Sequence, residues 1–343
     1  MSGRQRHRPP AASLLLALAA FPAWPGTAAA QETHALIVVG LGGDPEYAER
    51  FHEWGARIRD ALVELHGVAS ERVLYLGEKP EADPARIGGK ATKEAVETAL
   101  RAIAGSAAPA DRVLVVLVGH GTSRGNEALL NLSGPDLSAG ELDLLLDRFP
   151  TQQVAVVNAA SASGPFVEAL SGPRRTVVTA TRTGMERNET WFGRFFAEAL
   201  AGDGADLDKD GGISVLEAFE FARREVERHY REQNLLLTEH AMLDDDGDGK
   251  GTSEPGPDSG DGGLARTFIL RTTRATAAAA AEVADPVLRE LHREKAELER
   301  RLEALRAGRE GMEATAYERE LEEILVELAL VGRKIREREG GGR

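Results

Sequence analysis

The chain has 343 residues, no cysteine and a formal net charge of −14. The missing thiols exclude a cysteine nucleophile, a thiolate metal site and any disulfide. The acidic balance excludes a nucleic-acid partner, whose phosphates would be repelled, and suits the binding of cations.

Arg4, Arg6 and Arg8 make a basic start, an apolar run from Leu14 to Ala20 follows, and Ala28, Ala29 and Ala30 close the segment. This pattern reads as a secretory signal peptide over 1–30, cut after Ala30 at an A-x-A site. The apolar run is too short for a stable membrane span. Cleavage would leave 313 residues, and loss of the three arginines takes the charge from −14 to −17. The expectation is a secreted or periplasmic protein with one α/β domain and an accessory element.

HALIVVG, 34–40, is a short buried strand, and from Glu46 the chain takes helical periodicity. RVLYLG, 72–77, is a second strand, and ATKEAVETALRAIAG a helix. VLVVLVG, 113–119, VAVVN, 154–158, and TVVTATRT, 176–183, are further strands. AGELDLLLDRF and TWFGRFFAEALAG are helices between and after them, and LARTFIL, 264–270, is the expected last strand. Strands alternating with helices predict an α/β fold, a mostly parallel sheet with helices on both faces, over 31–271. An alanine-rich linker, 272–284, comes next. Asp285-Pro286 then starts a helix whose stripe is Leu288, Leu291, Leu298, Leu302 and Leu305. A second stripe runs Tyr317, Leu321, Ile324, Leu328, Val331 and Ile335. The two predict a C-terminal antiparallel helical hairpin over 285–339, for packing, dimerisation or recognition of a partner.

Two strands end unusually. One runs into Gly119-His120-Gly121, the other into Asn158-Ala159-Ala160-Ser161-Ala162-Ser163-Gly164. Ligands of parallel sheets collect at the carboxyl edge of the strands. Neighbouring strands lie about 5 Å apart, so His120 and Ser161 are expected to face each other across one crevice. Glycines beside the histidine leave room for a substrate and free the adjacent N–H groups. Ser163, Gly164 and Pro165 read as the start of a helix.

These two turns resemble those of the legumain family of cysteine peptidases, which has a caspase-like fold. That family places His-Gly after one strand and Ala-Cys-x-Ser-Gly after the next. Here Ala160-Ser161-Ala162-Ser163-Gly164 matches position for position, with Ser161 where the family has its cysteine. TATRTGMERNET, 179–190, resembles the family's Thr-Ala segment followed by a glutamate near the pocket. The likeness spans about residues 34–270. It implies His120 as base or acid and Ser161 as nucleophile, with the N–H groups of Gly121 and Ser161 holding an oxyanion. A serine needs a tightly bonded base steadied by a third group, for which Asn158 and Glu186 are candidates. Three readings stay open. The chain is a degenerate pseudo-peptidase that binds a peptide or protein ligand, an active serine-type peptidase, or a calcium-stabilised structural module in which Ser161 is only a small turn residue.

DLDKDGGISVLE, 206–217, fits a twelve-residue calcium loop. Asp206, Asp208 and Asp210 would supply carboxylates, Gly212 a backbone carbonyl, Ser214 a direct or water-mediated contact and Glu217 a bidentate carboxylate to Ca2+. Gly211 makes the sharp turn, and Ile213 points inward. The flanking helices predict an EF-hand-like helix-loop-helix insertion, although GDGA separates the first helix from the loop. LDDDGDGKGT shares the start of this pattern at Asp244, Asp246 and Asp248, but Pro255 stands where a closing glutamate belongs. It reads as a flexible acidic loop or a looser second site. Glu239 and His240 receive no role from the sequence.

Overall fold

The computed structural model describes residues 31–124, 127–202, 204–256, 258–271, 285–307 and 314–340. The expected signal peptide and the 272–284 linker lie outside the described residues.

The apolar runs become strands covered on both faces. β1 (Thr33–Val39), β2 (Val73–Gly77), β3 (Gly89–Lys90), β4 (Arg112–Val118), β8 (Gln153–Asn158), β9 (Arg175–Thr179) and β11 (Met242–Asp244) form one sheet in the order β3-β2-β1-β4-β8-β9-β11. All pairs are parallel except β9 with β11. Alternate residues serve opposite faces, as the two-residue period of a strand requires. Ile37, Val39, Leu114, Val116, Ala155 and Val157 pack under α1 (Pro45–Asp60), α5 (Phe192–Ala201) and α6 (Val215–Glu232), which contribute Phe51, Trp54, Phe196 and Phe219. Leu36, Val38, Val113, Val115, Val154 and Val156 pack under α2 (Lys93–Ser106), α3 (Ala139–Leu146) and α4 (Phe166–Leu170), which contribute Val96, Leu142 and Phe166. Each buried Val, Leu, Ile or Phe among them stabilises by about 1.5–3 kcal/mol, and without disulfides this double core carries the fold.

Capping fixes where several helices start. Thr92 Oγ1 accepts the Ala95 N–H at the head of α2, and Ser138 with Glu141 forms a reciprocal capping box on α3. Ser214 and Glu217 do the same for α6.

Three parts of the chain depart from the sequence reading. The 264–270 segment is not a strand of the main sheet. Gly263–Thr267 is a short helix, α7, and β12 (Ile269–Arg271) pairs antiparallel with β10 (Gly212–Ser214) in a separate two-stranded sheet. The buried residues Ala265 and Phe268 are three apart, a helical spacing, and the Asp245 carboxylate receives the N–H groups of Gly262 and Ala265 at the head of that turn. β9 stops at Thr179 rather than continuing to 183, because its neighbour β8 ends at Asn158. Finally, the loop after β4 is itself a small antiparallel sheet, β5 (Gly121–Arg124), β6 (Glu127–Leu130) and β7 (Leu137–Ser138).

At the C-terminus, Leu288, Leu291 and Leu298 of α8 (Pro286–Ala307) cluster with Leu328, Val331 and Ile335 of α9 (Ala314–Gly340). Leu302 and Leu305 cluster with Tyr317, Leu321 and Ile324, so the two helices run in opposite directions. Among the described residues no helix is long and apolar enough to cross a membrane.

Candidate functional site at the carboxyl rim of the sheet

β4 and β8 are adjacent and parallel, with Leu117 opposite Asn158. The turns that follow them therefore leave the sheet at the same rim. Gly119 has φ +151° and lies against Gly40, whose N–H bonds the Val118 carbonyl at 2.8 Å. A side chain at 119 would be strained, so glycine is selected there.

His120 follows. Its ring stands edge-on to Tyr47 and Phe51 of α1, with centroids 4.8 and 5.0 Å away. Burial lowers its pKa below the usual imidazole value, and a backbone hydrogen bond at Gly42 partly opposes this. The ring is therefore held neutral near neutral pH.

Ser161 is buried, and its Oγ accepts the Gly121 N–H at 3.2 Å. The approach is close: a Cβ on Gly121 would lie 2.2 Å from the Ser161 carbonyl oxygen. No hydrogen bond joins the His120 ring to Ser161 Oγ among the described residues, and no carboxylate is bonded to that ring. Thus the fold places His120, Gly121 and Ser161 side by side. The contact between them runs through the Gly121 N–H, the group expected to hold an oxyanion.

The small residues of the second turn have a packing reason. Asn158, Ala159, Ala160, Ser161, Ala162 and Ser163 are all buried. Asn158 Oδ1 accepts the Ala160 N–H at 3.1 Å, and its Nδ2 has no partner. Ala162 sits at φ +53° and donates its N–H to the Glu186 carbonyl at 2.8 Å. Ser163 Oγ and Thr181 bind one another, and Thr181 Oγ1 accepts the Gly164 N–H. At the end of the turn an added Cβ on Gly164 would lie 2.3 Å from the Arg182 backbone, so the turn closes tightly on the 180–190 segment.

The two candidates for a third group point elsewhere. Glu186 binds His240 Nδ1 at 3.0 Å and accepts the N–H groups of Arg182 and His240. Asn158 serves its own turn. Glu239, which has no role by sequence, is buried at the head of α5, where it accepts the N–H groups of Trp191 and Phe192. Burial pushes its pKa up to about 8, against the pull of those hydrogen bonds. Glu239 and His240 also line a cavity of about 160 Å³ with Arg182, Arg223 and Glu227; neither His120 nor Ser161 reaches it.

The 206–217 loop gathers carboxylate oxygens of Asp206, Asp208 and Glu217 within 4.8 Å of one another. Asp206 Oδ2 accepts the Gly211 N–H, while Oδ1 is buried without a partner. Glu217 accepts the N–H groups of Leu207 and Ser214, so it closes the loop and caps α6 together. Burial raises the pKa of Asp208, and the neighbouring Glu217, Asp210 and Asp206 charges add to the rise. Asp210 instead lies 3.5 Å from Arg271, Gly212 is in β10, and the Ser214 hydroxyl is engaged in the cap. The set is all oxygen and suits a hard divalent cation.

No family model and no curated protein matches the chain. Among solved structures, a structural-genomics target protein from Geobacter sulfurreducens is similar with 13% identity and a TM-score of 0.43, over 68% of this chain and 97% of that one. Raptor from Chaetomium thermophilum is similar with 11% identity and a TM-score of 0.32, over 61% of this chain and 19% of that one. Likeness at these levels assigns neither family nor activity.

Proposed function

We propose that the chain is an exported peptidase homologue of caspase-like, legumain type whose catalytic site is degenerate and now binds a peptide or partner protein. One observation carries this reading: Ser161 Oγ is buried against the Gly121 N–H while the His120 ring packs on Tyr47 and Phe51. A working serine needs its base within hydrogen-bond reach and a group behind that base. Here the base packs on Tyr47 and Phe51 with no carboxylate bonded behind it among the described residues, and the oxyanion donor is occupied by the nucleophile. The order of the main sheet and the two rim turns support the kinship; the Cys-to-Ser exchange supports the loss of activity.

In this reading the 206–217 loop is an EF-hand-like insertion holding Ca2+ through Asp206, Asp208 and Glu217. It stabilises the α5–α6 connection rather than taking part in chemistry. The 1–30 leader sends the chain out of the cytoplasm, where millimolar calcium is available. The α8–α9 hairpin is the element for dimerisation, which the solution mass of a chain truncated at 271 tests.

Ser161→Cys is the direct experiment. The wild-type chain should cleave no peptide from a mixed fluorogenic library, and the thiol variant should also remain silent, because burial and the His120 geometry persist. Wild-type cleavage abolished by Ser161→Ala would establish a serine peptidase and end the degenerate reading. The same library measures peptide binding. Its complete absence would leave the calcium-stabilised structural module, which the burial of Ser161 also suits.

A further inference from the structure

Two loops of this chain share one local geometry. In the first, Asp206 Oδ2 accepts the Gly211 N–H at 3.2 Å, Asp208 Oδ1 the Asp210 N–H at 3.0 Å, and Asp210 Oδ1 the Gly212 N–H at 2.7 Å. In the second, Asp244 Oδ1 accepts the Gly249 N–H at 3.1 Å, Asp246 Oδ1 the Asp248 N–H at 2.9 Å, and Asp248 Oδ1 the Lys250 N–H at 2.7 Å. Positive φ values fall at matching places, Lys209 and Gly211 in one loop and Gly247 and Gly249 in the other.

The difference is at the closing position. Pro255 stands where the first loop has Glu217, and the chain folds Asp261 back instead. Carboxylate oxygens of Asp244, Asp246 and Asp261 lie within 4.8 Å of one another. Asp261 Oδ1 accepts the Asp245 N–H at 2.9 Å, and the Asp245 carboxylate in turn holds Gly262 and Ala265. A reciprocal clasp thus fixes the third carboxylate beside the loop.

Asp244 is the observation that points to a ligand. It is 0% exposed, and its Oδ2 has no hydrogen-bond partner. The nearby Ser171 hydroxyl stands outside hydrogen-bond geometry and is likewise buried and unpartnered. Asp261 is also buried. Among the described residues no lysine or arginine forms an ion pair with Asp244, Asp246 or Asp261; Lys250 reaches Asp248 alone. A carboxylate in such a place is strongly unfavourable unless a cation joins it.

We propose that Asp244, Asp246 and Asp261 hold a second calcium ion, separate from the 206–217 loop, which ties β11 to the 261–267 segment. The donors are carboxylate oxygens on a tight loop, with loop carbonyls and water left to complete the six to eight contacts calcium takes.

The test is a count of bound ions. The full chain, stripped with EDTA and dialysed against calcium-45, should bind two per molecule. Asp246→Asn spares the fold, because Asp246 is exposed and an amide oxygen still accepts the Asp248 N–H. It should lose one ion or weaken it by at least about tenfold through the lost ligand charge. Glu217→Gln should lose the other ion, and the double variant should bind none. An Asp246→Asn chain that binds as many ions as wild type, within twofold in affinity, overturns the proposal. So does a wild-type chain that binds a single ion which Glu217→Gln removes. A single ion removed by Asp246→Asn and kept by Glu217→Gln upholds this site and sinks the first. Absence of any bound calcium sinks both.

Discussion

Replacing Glu239 with glutamine should erase a pH dependence of stability that the wild-type chain carries. The carboxyl group is 2% exposed, accepts three backbone hydrogen bonds of 2.8–3.3 Å at the head of α5, and feels the like charge of Glu186. Its pKa rises from 4.5 to about 8, with burial the largest cause. Between those values the folded chain holds a proton that the unfolded chain has released. Stability is therefore greatest below the unfolded pKa, falls as pH rises through the window, and levels off above the folded pKa. At about 1.36 kcal/mol per unit, the loss from pH 5 to pH 8.5 is about 4 kcal/mol. Glutamine cannot titrate. Its amide NH2 faces the Trp191 or Phe192 N–H, a pH-independent cost of about 1–3 kcal/mol. Urea unfolding of both chains at the two pH values isolates the effect, because every other titrating group cancels in the difference. The stability difference should shift by about 4 kcal/mol in favour of Glu239→Gln between pH 5 and pH 8.5, so the variant, less stable at pH 5, becomes the more stable chain at pH 8.5. An equal destabilisation at both values would refute the reasoning. It would mean that the helix head and its N–H groups keep the carboxylate charged throughout.

Four other substitutions or treatments bear on other levels of the structure. Gly121→Ala puts a Cβ 2.2 Å from the Ser161 carbonyl and 3.1 Å from that of Leu129, so denaturant melts should show a loss of about 1–3 kcal/mol or more. Gly105→Ala, in α2 with no atom within 4 Å of the new methyl, should instead gain about 0.5–1 kcal/mol. Adding calcium to tenfold above its Kd should raise Tm by about 2–4 °C over the chelated chain, and Glu217→Gln should shrink that shift; an unchanged shift in the variant would remove the 206–217 loop from the account. Ile324→Ala empties a 1% exposed position whose cluster contains only residues of α8 and α9. It should destabilise the helix pair by about 2–5 kcal/mol, seen as lost helical ellipticity before the main transition, which should not move.

The strongly patterned parts of the fold were legible. Continuous apolar runs marked β1, β4, β8 and β9, because strands covered on both faces have no polar side to advertise. The stripe positions of α8 and α9 that are buried, from Leu288 to Ile335, are those at three- and four-residue spacing. Short elements were not legible. β11, with three residues, and the 121–138 sheet take their form from neighbours rather than from a pattern of their own. The rim turns were legible as a pair through their sequence, and strand order brought them together. The environment of His120 was not, since Tyr47 and Phe51 reach it from an element more than sixty residues away. Asp261 was invisible for the same kind of reason. It lies in a Gly-rich stretch, and no fixed spacing links it to Asp244; only the Asp245 clasp makes them neighbours.

The outermost strands of the main sheet are minimal: Gly89–Lys90 at one margin and Met242–Asp244 at the other. At the second margin Thr252 takes both outward main-chain groups of Leu243, donating and accepting at 2.8 Å. A neighbouring molecule therefore finds almost no free ladder on which to lay another strand. A chain that lacks covalent staples is in this way shielded from fibrous stacking, and any assembly it makes must recruit surfaces other than its pleated margins.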